Sequence, residues 1–291
     1  MEQQLLDFLK FLEDEFKYSK NTIAAYKNDL TQFLHFILEQ QGDRLQEWGQ
    51  VSDENVQAYV AFMKQQPYAS SSIARKVAAV KSFFNHLFSR EQIDHNPTIE
   101  IESPKVKKRL PQTLSFDEVE RLLKAPTRKK SPKHLRDTAL LTLLYSTGMR
   151  VTEVVSLELS DVNLAKSLLH SPVKDGNARE LPFDDSTKQV LHTYLEHGRP
   201  YLAKDNREQS LFLNHRGQQL TRQGLWLIIK AYAKQVNLTT SVTPHTLRHS
   251  FAAHKLYTGS DLQEVQKLLG HANISTTQIY TQIAGSDEEE E

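Results

Sequence analysis

Apolar residues recur at helical spacing through the first hundred residues of the chain. Between residues 5 and 12, leucine and phenylalanine recur three or four positions apart, as they do on one face of an amphipathic helix. The same spacing follows SKNT, where Ser19 or Thr22 can cap a helix, and it returns from about Ser52 and after the serines at 70–72. The pattern predicts four helices joined by short links, without strands.

The pattern becomes mixed after residue 111. Ser115 and Glu118 form a capping box ahead of an apolar stripe, and Gly148 closes the next helix, HLRDTALLTLLYSTG. In SLLHSPVKDGNARELPF, two β-prone runs flank Asp-Gly-Asn, which is a hairpin signal, and LFLNHRGQQL repeats the pattern more weakly. Helices return from about Leu225. The region is therefore predicted to be α+β: mainly α with a small antiparallel β-sheet.

Two capping-box spacings predict the last helices of the chain. Ser260 with Gln263 starts the helix DLQEVQKLLG, and Ser275 with Gln278 starts the short helix TTQIYTQI. His271 is expected on the turn between these two helices.

Residues 96–111, NPTIEIESPKVKKRLP, separate the two regions. Three prolines without glycine, joined to a basic cluster, favour an extended connector. We therefore expect a helical N-terminal domain over 1–104, a basic linker over 105–111, a mixed domain over 112–286 and an acidic tail over 287–291.

Composition narrows the class of protein. A chain of 291 residues suits two domains better than one core, and 38% hydrophobic with 25% charged residues is a globular balance. No apolar run approaches the roughly 20 residues that span a bilayer, and the acidic, amphipathic N-terminus is unlike a signal peptide, so we expect a cytoplasmic protein. The absence of cysteine excludes disulfides, thiol nucleophiles and thiolate zinc sites.

The formal charge of zero conceals a basic protein. The chain has 36 basic and 36 acidic residues, but five of the acidic ones form the terminal run 287–291. Residues 1–286 therefore carry 36 basic and 31 acidic residues, an excess of five positive charges. This balance allows a partner that is rich in phosphate.

Two arginines stand at positions that suit phosphate binding. Arg150 follows the helix-ending Gly148 between apolar neighbours, which predicts a guanidinium in a cleft with Glu153 as its partner. In TPHTLRHSFAAH, His245 and Arg248 stand three apart on one face of a helix that begins at Pro244.

The histidines of this helix raise the possibility of a metal site. His245 and His249 have the spacing of zinc-binding helices. No carboxylate lies between them, however, and Arg248 next to His249 repels a cation. We therefore expect no metal and no cofactor.

Four segments, taken in order, resemble the motifs of the tyrosine recombinase (phage integrase) family. They are TGMRVTE, HTLRH, LLGH and TTQIYT, and their amino-acid sequences are most similar to those of the Xer recombinases. The resemblance covers nearly the whole chain, because the helical N-terminal region and SPKVKKRLP resemble the family's core-binding domain and connector. It implies that the catalytic residues are Arg150, Lys174, His245, Arg248, His271 and Tyr280.

The resemblance implies a metal-free and ATP-free transesterification of DNA. Arg150 and Arg248 would neutralise the nonbridging oxygens of the scissile phosphate, and Glu153 would orient the arginine side. Tyr280 would attack phosphorus and form a 3′-phosphotyrosine. Its ring is expected to be anchored by neighbouring isoleucines, with its hydroxyl free to reach outward.

The remaining family residues would move protons. Lys174, carried on the hairpin, would be the general acid for the leaving 5′-oxygen, and His245 the general base for the phenol. His271 would donate to a nonbridging oxygen. The sequence reads VKDGNAR where Xer proteins more often place glycine beside the lysine.

The partner that the resemblance implies is double-stranded DNA with a specific recombination site, in the cytoplasm at the nucleoid. A SAM-like N-terminal domain and the catalytic domain would close around the duplex as a C-shaped clamp, in a homo- or hetero-tetramer on two sites. The basic residues expected to contact phosphates are Lys20, Arg75, Lys76, Lys105, Lys107, Lys108 and Arg109. Residues 281–291 follow Tyr280 where family members usually have a further helix, donated to a neighbouring protomer, so this helix is expected to be short or replaced.

Two alternatives share parts of this pattern. A type IB topoisomerase-like enzyme uses the same arginine, lysine, histidine and tyrosine chemistry to relax supercoils as a monomer. A decayed recombinase would bind DNA without cutting it. For a recombinase, the role would be resolution of chromosome or plasmid dimers, within chromosome partition and cell division, or mobility of an element.

Overall fold

A computed structural model describes residues 1–42, 45–102, 104, 110–171, 179–271 and 273–286, with the backbone alone for 284–286. The chain divides into two compact units, Met1–Lys108 and Arg109–Glu291. Within the described ranges, no helix is both long and apolar enough to cross a membrane. Five predicted site residues lie outside the described residues: Lys105, Lys107, Lys108, Arg109 and Lys174.

The first unit contains the four predicted helices. They are α1 (Glu2–Asp14), α2 (Lys20–Gln41), α3 (Asp53–Gln65) and α4 (Ser70–Ser89). Ser19 caps α2, because its hydroxyl accepts from the Thr22 amide at 3.2 Å. Their apolar faces meet in a core where Trp48 packs edge-on against Phe83, with ring centroids 4.7 Å apart.

The second unit is mainly helical with one small sheet. Its helices are α5 (Phe116–Lys124), α6 (Pro132–Thr147), α7 (Val151–Val155), α8 (Asp185–His197), α9 (Arg199–Leu202), α10 (Arg222–Gln235), α11 (Pro244–Tyr257), α12 (Leu262–Leu269) and α13 (Ser275–Ser286). Its strands are β1 (Val162–Asn163), β2 (Leu168–Ser171) and β3 (Arg179–Pro182). The predicted fold class, mainly α with a small antiparallel sheet, is confirmed.

The sheet is antiparallel in the order β1-β2-β3. The pairing of β2 with β3, in which Leu169 faces Leu181, confirms the predicted strands; the turn of the hairpin, 172–178, lies outside the described residues. Strand β1 was not predicted, because two residues are too few to show alternation. The weaker second hairpin is present as a bridge between Leu213 and Gln219.

The structure corrects the starts of the last two helices. Helix α12 is capped by Asp261, whose carboxylate accepts from the Gln263 amide at 3.1 Å, and not by Ser260. Ser275 is the first residue of α13, and its amide donates to the Asn273 side chain at 2.9 Å. At α12, Asp261 supplies the acceptor that Ser260 was expected to supply. At α13, the amide that Ser275 was expected to cap, that of Gln278, donates instead to the Ile274 carbonyl at 3.0 Å.

Helix α6 is the central helix of the second unit. Leu140 and Leu144 are fully buried in its main core, and a smaller cluster joins Phe251 of α11 to Leu269 and Tyr280. Gly148 closes α6 in the left-handed conformation, with φ of 59°. The chain therefore turns sharply just before Arg150.

Replacing Gly148 with alanine is expected to destabilise the second unit by about 2–4 kcal/mol, from left-handed strain and overpacking. A Cβ there would lie 2.3 Å from Cδ1 of Phe251. Urea unfolding measures the loss. The matched control is Gly259→Ala, which has positive φ but no heavy atom within 4 Å of the added Cβ, and we expect about half the effect. Equal losses in the two variants would contradict the packing argument.

Candidate active site

The junction of α6 and α7 holds Arg150 against Glu153. The backbone amide of Arg150 donates to Oε2 of Glu153 at 2.6 Å, and its Nη1 donates to Oε1 at 3.1 Å. This is the ion pair that the sequence predicts. The Arg150 side chain remains 41% exposed, so part of its guanidinium faces outward.

Glu153 has a second partner that sequence reasoning missed. Arg179, the first residue of β3, donates from Nη1 and Nη2 to the two carboxylate oxygens, each at 3.0 Å. Burial raises the pKa of Glu153, but the bonds from Arg179 and from the Arg150 amide outweigh burial and hold the pKa below its ordinary value. The carboxylate is therefore ionised at neutral pH.

Arg248 lies on α11 with its side chain turned into the protein, where it is 4% exposed. Nη1 donates to the Gly148 carbonyl at 2.5 Å, and Nη2 donates to the Leu269 carbonyl at 2.6 Å. Burial, reinforced by the charge of Arg150, lowers the pKa of Arg248 to about 10, so it stays charged at neutral pH. The two candidate phosphate arginines come close enough to affect each other's charge.

His271 bridges Arg248 to α13. Its Nε2 lies 3.1 Å from Nη2 of Arg248, and its Nδ1 lies 3.0 Å from Oγ1 of Thr277. Because a guanidinium only donates, Nε2 accepts, and the ring proton is on Nδ1, facing Thr277. Burial and the neighbouring arginines lower the pKa of His271 to about 4, so the ring is neutral. In this arrangement both nitrogens are used inside the protein.

Tyr280 lies on α13 beside these residues, with its ring 6.4 Å from that of His271. The structure corrects the expectation of an outward-reaching hydroxyl. Tyr280 is 2% exposed, and its Oη lies 2.7 Å from Nδ1 of His249. Burial raises the pKa of the phenol, and the charge of Arg248 opposes this rise only in part.

His249 is the hydrogen-bond partner of the tyrosine hydroxyl. Burial, with the charges of His245 and Arg248, lowers the pKa of His249 to about 4, so the ring is neutral, and its Nδ1 accepts from the phenol when the ring proton is on Nε2. His245 is exposed, with its ring centroid 6.3 Å from that of His249. Within the described part of the chain, the hydroxyl is therefore bonded to His249 and has no hydrogen bond to His245.

The two missed residues left weak signals in the sequence. His249 has the spacing from His245 of a metal-binding pair, and nothing in the sequence near it indicates a bond to Tyr280. Arg179 follows the hairpin turn in ARELP, where an arginine is commonly exposed. Its partners are 26 and 89 residues away in sequence, so no local pattern marks it.

Three predicted phosphate contacts lie among the described residues of the first unit. Lys20 is exposed at the start of α2. Arg75 is 48% exposed at its side chain and forms an ion pair with buried Asp29. The prediction that Lys76 contacts phosphate is wrong, because Lys76 is only 5% exposed. Its Nζ donates to Asp29 at 3.0 Å and to Gln32 at 2.6 Å. Its ammonium stabilises the interior of the unit.

Comparison with known proteins assigns the family. Residues 112–286 match the model of the phage integrase family, and residues 5–91 match the model of the phage integrase N-terminal SAM-like domain. The chain is 47% identical over 284 residues to a tyrosine recombinase XerC of Herpetosiphon aurantiacus, which covers 98% of this chain and 92% of the relative. It is 42% identical to a tyrosine recombinase XerD of Listeria monocytogenes, over 97% of this chain and 95% of the relative. The chain belongs to the phage integrase family, as an Xer-like tyrosine recombinase.

Solved structures agree in fold. A XerH recombinase bound to palindromic difH DNA is similar over 100% of this chain and 83% of its own, with a TM-score of 0.79 and 21% identity. A XerA recombinase is 28% identical over 96% of this chain and 93% of its own, with a TM-score of 0.54. The low identity to XerH makes that likeness one of fold alone.

Proposed function

We propose that this chain cuts and rejoins double-stranded DNA at a specific site through a 3′-phosphotyrosine at Tyr280. The observation that carries the proposal is the convergence of Arg150, Arg248, His271 and Tyr280, from four separate segments, within one small region of the second unit. Two permanent cations beside a phenol suit attack on a phosphodiester. No group in this arrangement requires a cofactor.

In the proposed reaction, the guanidinium groups of Arg150 and Arg248 bind the nonbridging oxygens as a fifth ligand adds to phosphorus. The Tyr280 oxygen forms the new P–O bond, and the bond to the 5′-oxygen breaks. Lys174, as the general acid, protonates that oxygen. Because the phosphotyrosine conserves the ester bond, a 5′-hydroxyl from another strand reverses the step without ATP.

The phenol must lose its proton during attack. His249, with a pKa of about 4, is too weak a base to take that proton in the resting arrangement, because the pKa of the phenol is raised. We infer that His249 holds the hydroxyl and that His245 is the general base. For this transfer, the Tyr280 hydroxyl has to leave Nδ1 of His249 and approach the exposed His245 ring.

His271 needs a similar exchange of partners before it can donate to phosphate, as proposed. Its Nδ1 proton now faces Thr277, and its Nε2 accepts from Arg248. A phosphate that takes over the Arg248 donor releases Nε2. Its negative charge also favours protonation of the ring, which then donates from Nε2.

The proposed partners are duplex DNA and further recombinase protomers. We propose that the helical N-terminal domain binds the duplex together with the linker, and that four protomers, identical or of two kinds, act on two sites. Lys20 and Arg75, with the basic residues of the linker, are the proposed phosphate contacts. The proposed location is the cytoplasm, at the nucleoid, where a role in dimer resolution, chromosome partition or element mobility takes place.

DNA affinity is expected to fall steeply with salt. Six proposed phosphate contacts give a log–log slope of about −5, and therefore a loss of roughly a thousandfold between about 50 and 200 mM salt. Fluorescence anisotropy with a labelled duplex measures the slope. Lys20→Gln should make the slope shallower by about 1. An affinity that stays flat over this range would refute the proposed phosphate contacts.

The proposed function is tested in two steps. Selection from a random duplex library first supplies a bound site. A nicked duplex with that site is then incubated with the full chain, and a covalent adduct that survives denaturant and maps to Tyr280 is the expected result. Binding without an adduct would leave a silent DNA-binding protein. Relaxation of plasmids that lack the site would favour a topoisomerase-like enzyme.

A further inference from the structure

Arg179 is more buried, and makes more hydrogen bonds, than is usual for an arginine on a surface β-strand. Its side chain is 13% exposed. Nη1 and Nη2 form a planar fork on the Glu153 carboxylate, both at 3.0 Å, and Nε donates to the Leu268 carbonyl at 2.9 Å. These bonds direct the guanidinium inward, toward the Glu153 carboxylate that also binds Arg150. The guanidinium is therefore poorly placed to bind a ligand itself.

The Arg179 guanidinium occupies space that is open because residue 270 is a glycine. Gly270 ends α12 in the left-handed conformation, with φ of 64°. A Cβ on that residue would lie 2.7 Å from Nη1 of Arg179. Both the backbone turn and the close approach of the guanidinium therefore require glycine at this position.

Three consecutive carbonyls at the end of α12 each accept from a different arginine. Leu268 accepts from Nε of Arg179 at 2.9 Å, Leu269 from Nη2 of Arg248 at 2.6 Å, and Gly270 from Nη2 of Arg150 at 3.1 Å. The carbonyl end of a helix carries partial negative charge, which stabilises cations there. One helix end thus aligns all three guanidinium groups.

The charges of this group suit a phosphoryl transition state. The three guanidinium groups on the α12 carbonyls, together with the Glu153 carboxylate that pairs with two of them, carry a net charge of two positive within the described residues. A phosphodiester under attack by an alkoxide-like oxygen approaches two negative charges. Arg179 shares Glu153 with Arg150, and so it offsets the carboxylate that would otherwise neutralise Arg150.

We propose that Arg179 is a positioning residue: it fixes the Glu153 carboxylate, and through it Arg150, in the place from which Arg150 binds the scissile phosphate. The inference rests on the proposed function of Arg150. It adds a third arginine, which acts through its neighbours and does not touch DNA.

Removal of the Arg179 fork should change the titration of Glu153. In Arg179→Gln, burial still raises the pKa of the carboxyl, while two of the bonds that lower it are lost. The pKa therefore rises, and the carboxyl takes up a proton as the pH falls. A protonated Glu153 no longer fixes Arg150, so cleavage loses activity toward acid pH beyond any pH dependence that the wild type already shows.

The experiment uses the full chain and the nicked duplex built from the selected site. Relative to wild type at the same pH, single-turnover cleavage by Arg179→Gln is expected to fall roughly 10- to 100-fold at about pH 8, as for a misplaced catalytic group, and by a larger factor at about pH 5.5. DNA affinity should stay within about threefold of wild type, because Arg179 contacts no DNA. Adding Glu153→Gln to this variant removes the titrating carboxyl and should abolish the extra acid loss while cleavage stays low.

The matched control is Arg199→Gln. Arg199 is a partly buried arginine of the same unit that donates to the carbonyls of Glu208 and Ser210, with no bond to the site. It should lower the unfolding temperature and leave the cleavage rate and its pH profile unchanged. If Arg179→Gln behaves in the same way as Arg199→Gln, Arg179 is structural and the inference fails. A loss of affinity equal to the loss of cleavage would instead make it a DNA contact.

Two further measurements keep the inference testable on its own. If Arg179→Gln does not fold, Arg179→Lys, which keeps one charge without the fork, should still show the extra acid loss, and a pH profile equal to that of the wild type would overturn the inference. Carboxyl NMR titration of Glu153 needs no DNA: its pKa should rise in the variant. A raised pKa with a wild type that forms no adduct would refute the proposed function alone, whereas an unchanged pKa would refute the role of Arg179.

Discussion

Replacement of Tyr280 by phenylalanine should eliminate the covalent protein–DNA adduct and leave the fold and the DNA affinity in place. Phenylalanine keeps the buried ring but removes the oxygen that forms the bond to phosphorus. The hydroxyl also makes one hydrogen bond, to Nδ1 of His249 at 2.7 Å. Its loss should cost about 1 kcal/mol of stability, which is small beside the complete loss of chemistry.

The chain supplies a closely matched control for this result. The hydroxyl of Tyr145 also lies 2.7 Å from a histidine Nδ1, that of His254, in the same unit. Tyr145→Phe therefore removes a tyrosine–histidine hydrogen bond of the same length from a partly buried position, and it should form the adduct at the wild-type rate. Denaturing gels measure the adduct, and thermal unfolding compares the two variants. An adduct that persists in Tyr280→Phe would end the assignment of the nucleophile.

Arg248→Lys should reduce the single-turnover cleavage rate by roughly a thousandfold or more, in the range seen when a preorganised transition-state donor or an arginine finger is lost. The guanidinium of Arg248 binds the Gly148 and Leu269 carbonyls and His271 at once. A lysine ammonium is a point charge that cannot hold these partners and also present a planar pair of donors to phosphate. The unfilled carbonyls should also lower stability by about 1–3 kcal/mol.

A second buried arginine provides a control that separates an effect on stability from an effect on catalysis. Arg136 is also 4% exposed, and it binds Asp137 and the Leu213 carbonyl within the same unit. Arg136→Lys should destabilise the unit at least as much as Arg248→Lys, yet cleave at the wild-type rate below its unfolding temperature. If both variants lose cleavage in proportion to the unfolded fraction, Arg248 has no role in the chemistry.

The helices could be predicted because their signals are local. Apolar spacing, the Ser19 and Ser115 caps and the glycine at 148 lie within a few residues of the structure that they specify. The same reasoning failed at Ser260, where Asp261 binds the Gln263 amide, and at Ser275, which is the first helical residue and donates its own amide to Asn273. Local rules rank such competitors poorly, because their energies differ by only a few tenths of a kcal/mol.

For the candidate site, too, the local features could be predicted and the long-range contacts could not. The motifs around Arg150, Arg248, His271 and Tyr280 can be read in the sequence, and so can the pairing of Arg150 with Glu153 three residues later. The burial of the Tyr280 hydroxyl against His249 could not be read, because that partner is 31 residues away. Nor could the inward turn of Lys76, which depends on Asp29 in another helix, 47 residues earlier.

The sequence by itself determined which residue types are available for the chemistry, the helices that carry them and the family to which the chain belongs. The tertiary structure alone decided the hydrogen-bond partner of each of these side chains. It placed three arginines on consecutive carbonyls of α12 and turned Arg179, which looks like a surface residue, into a support for Glu153. The physical reason is that a charged or polar side chain, once buried, must bind whatever donor or acceptor folding brings next to it, and sequence distance does not limit that choice.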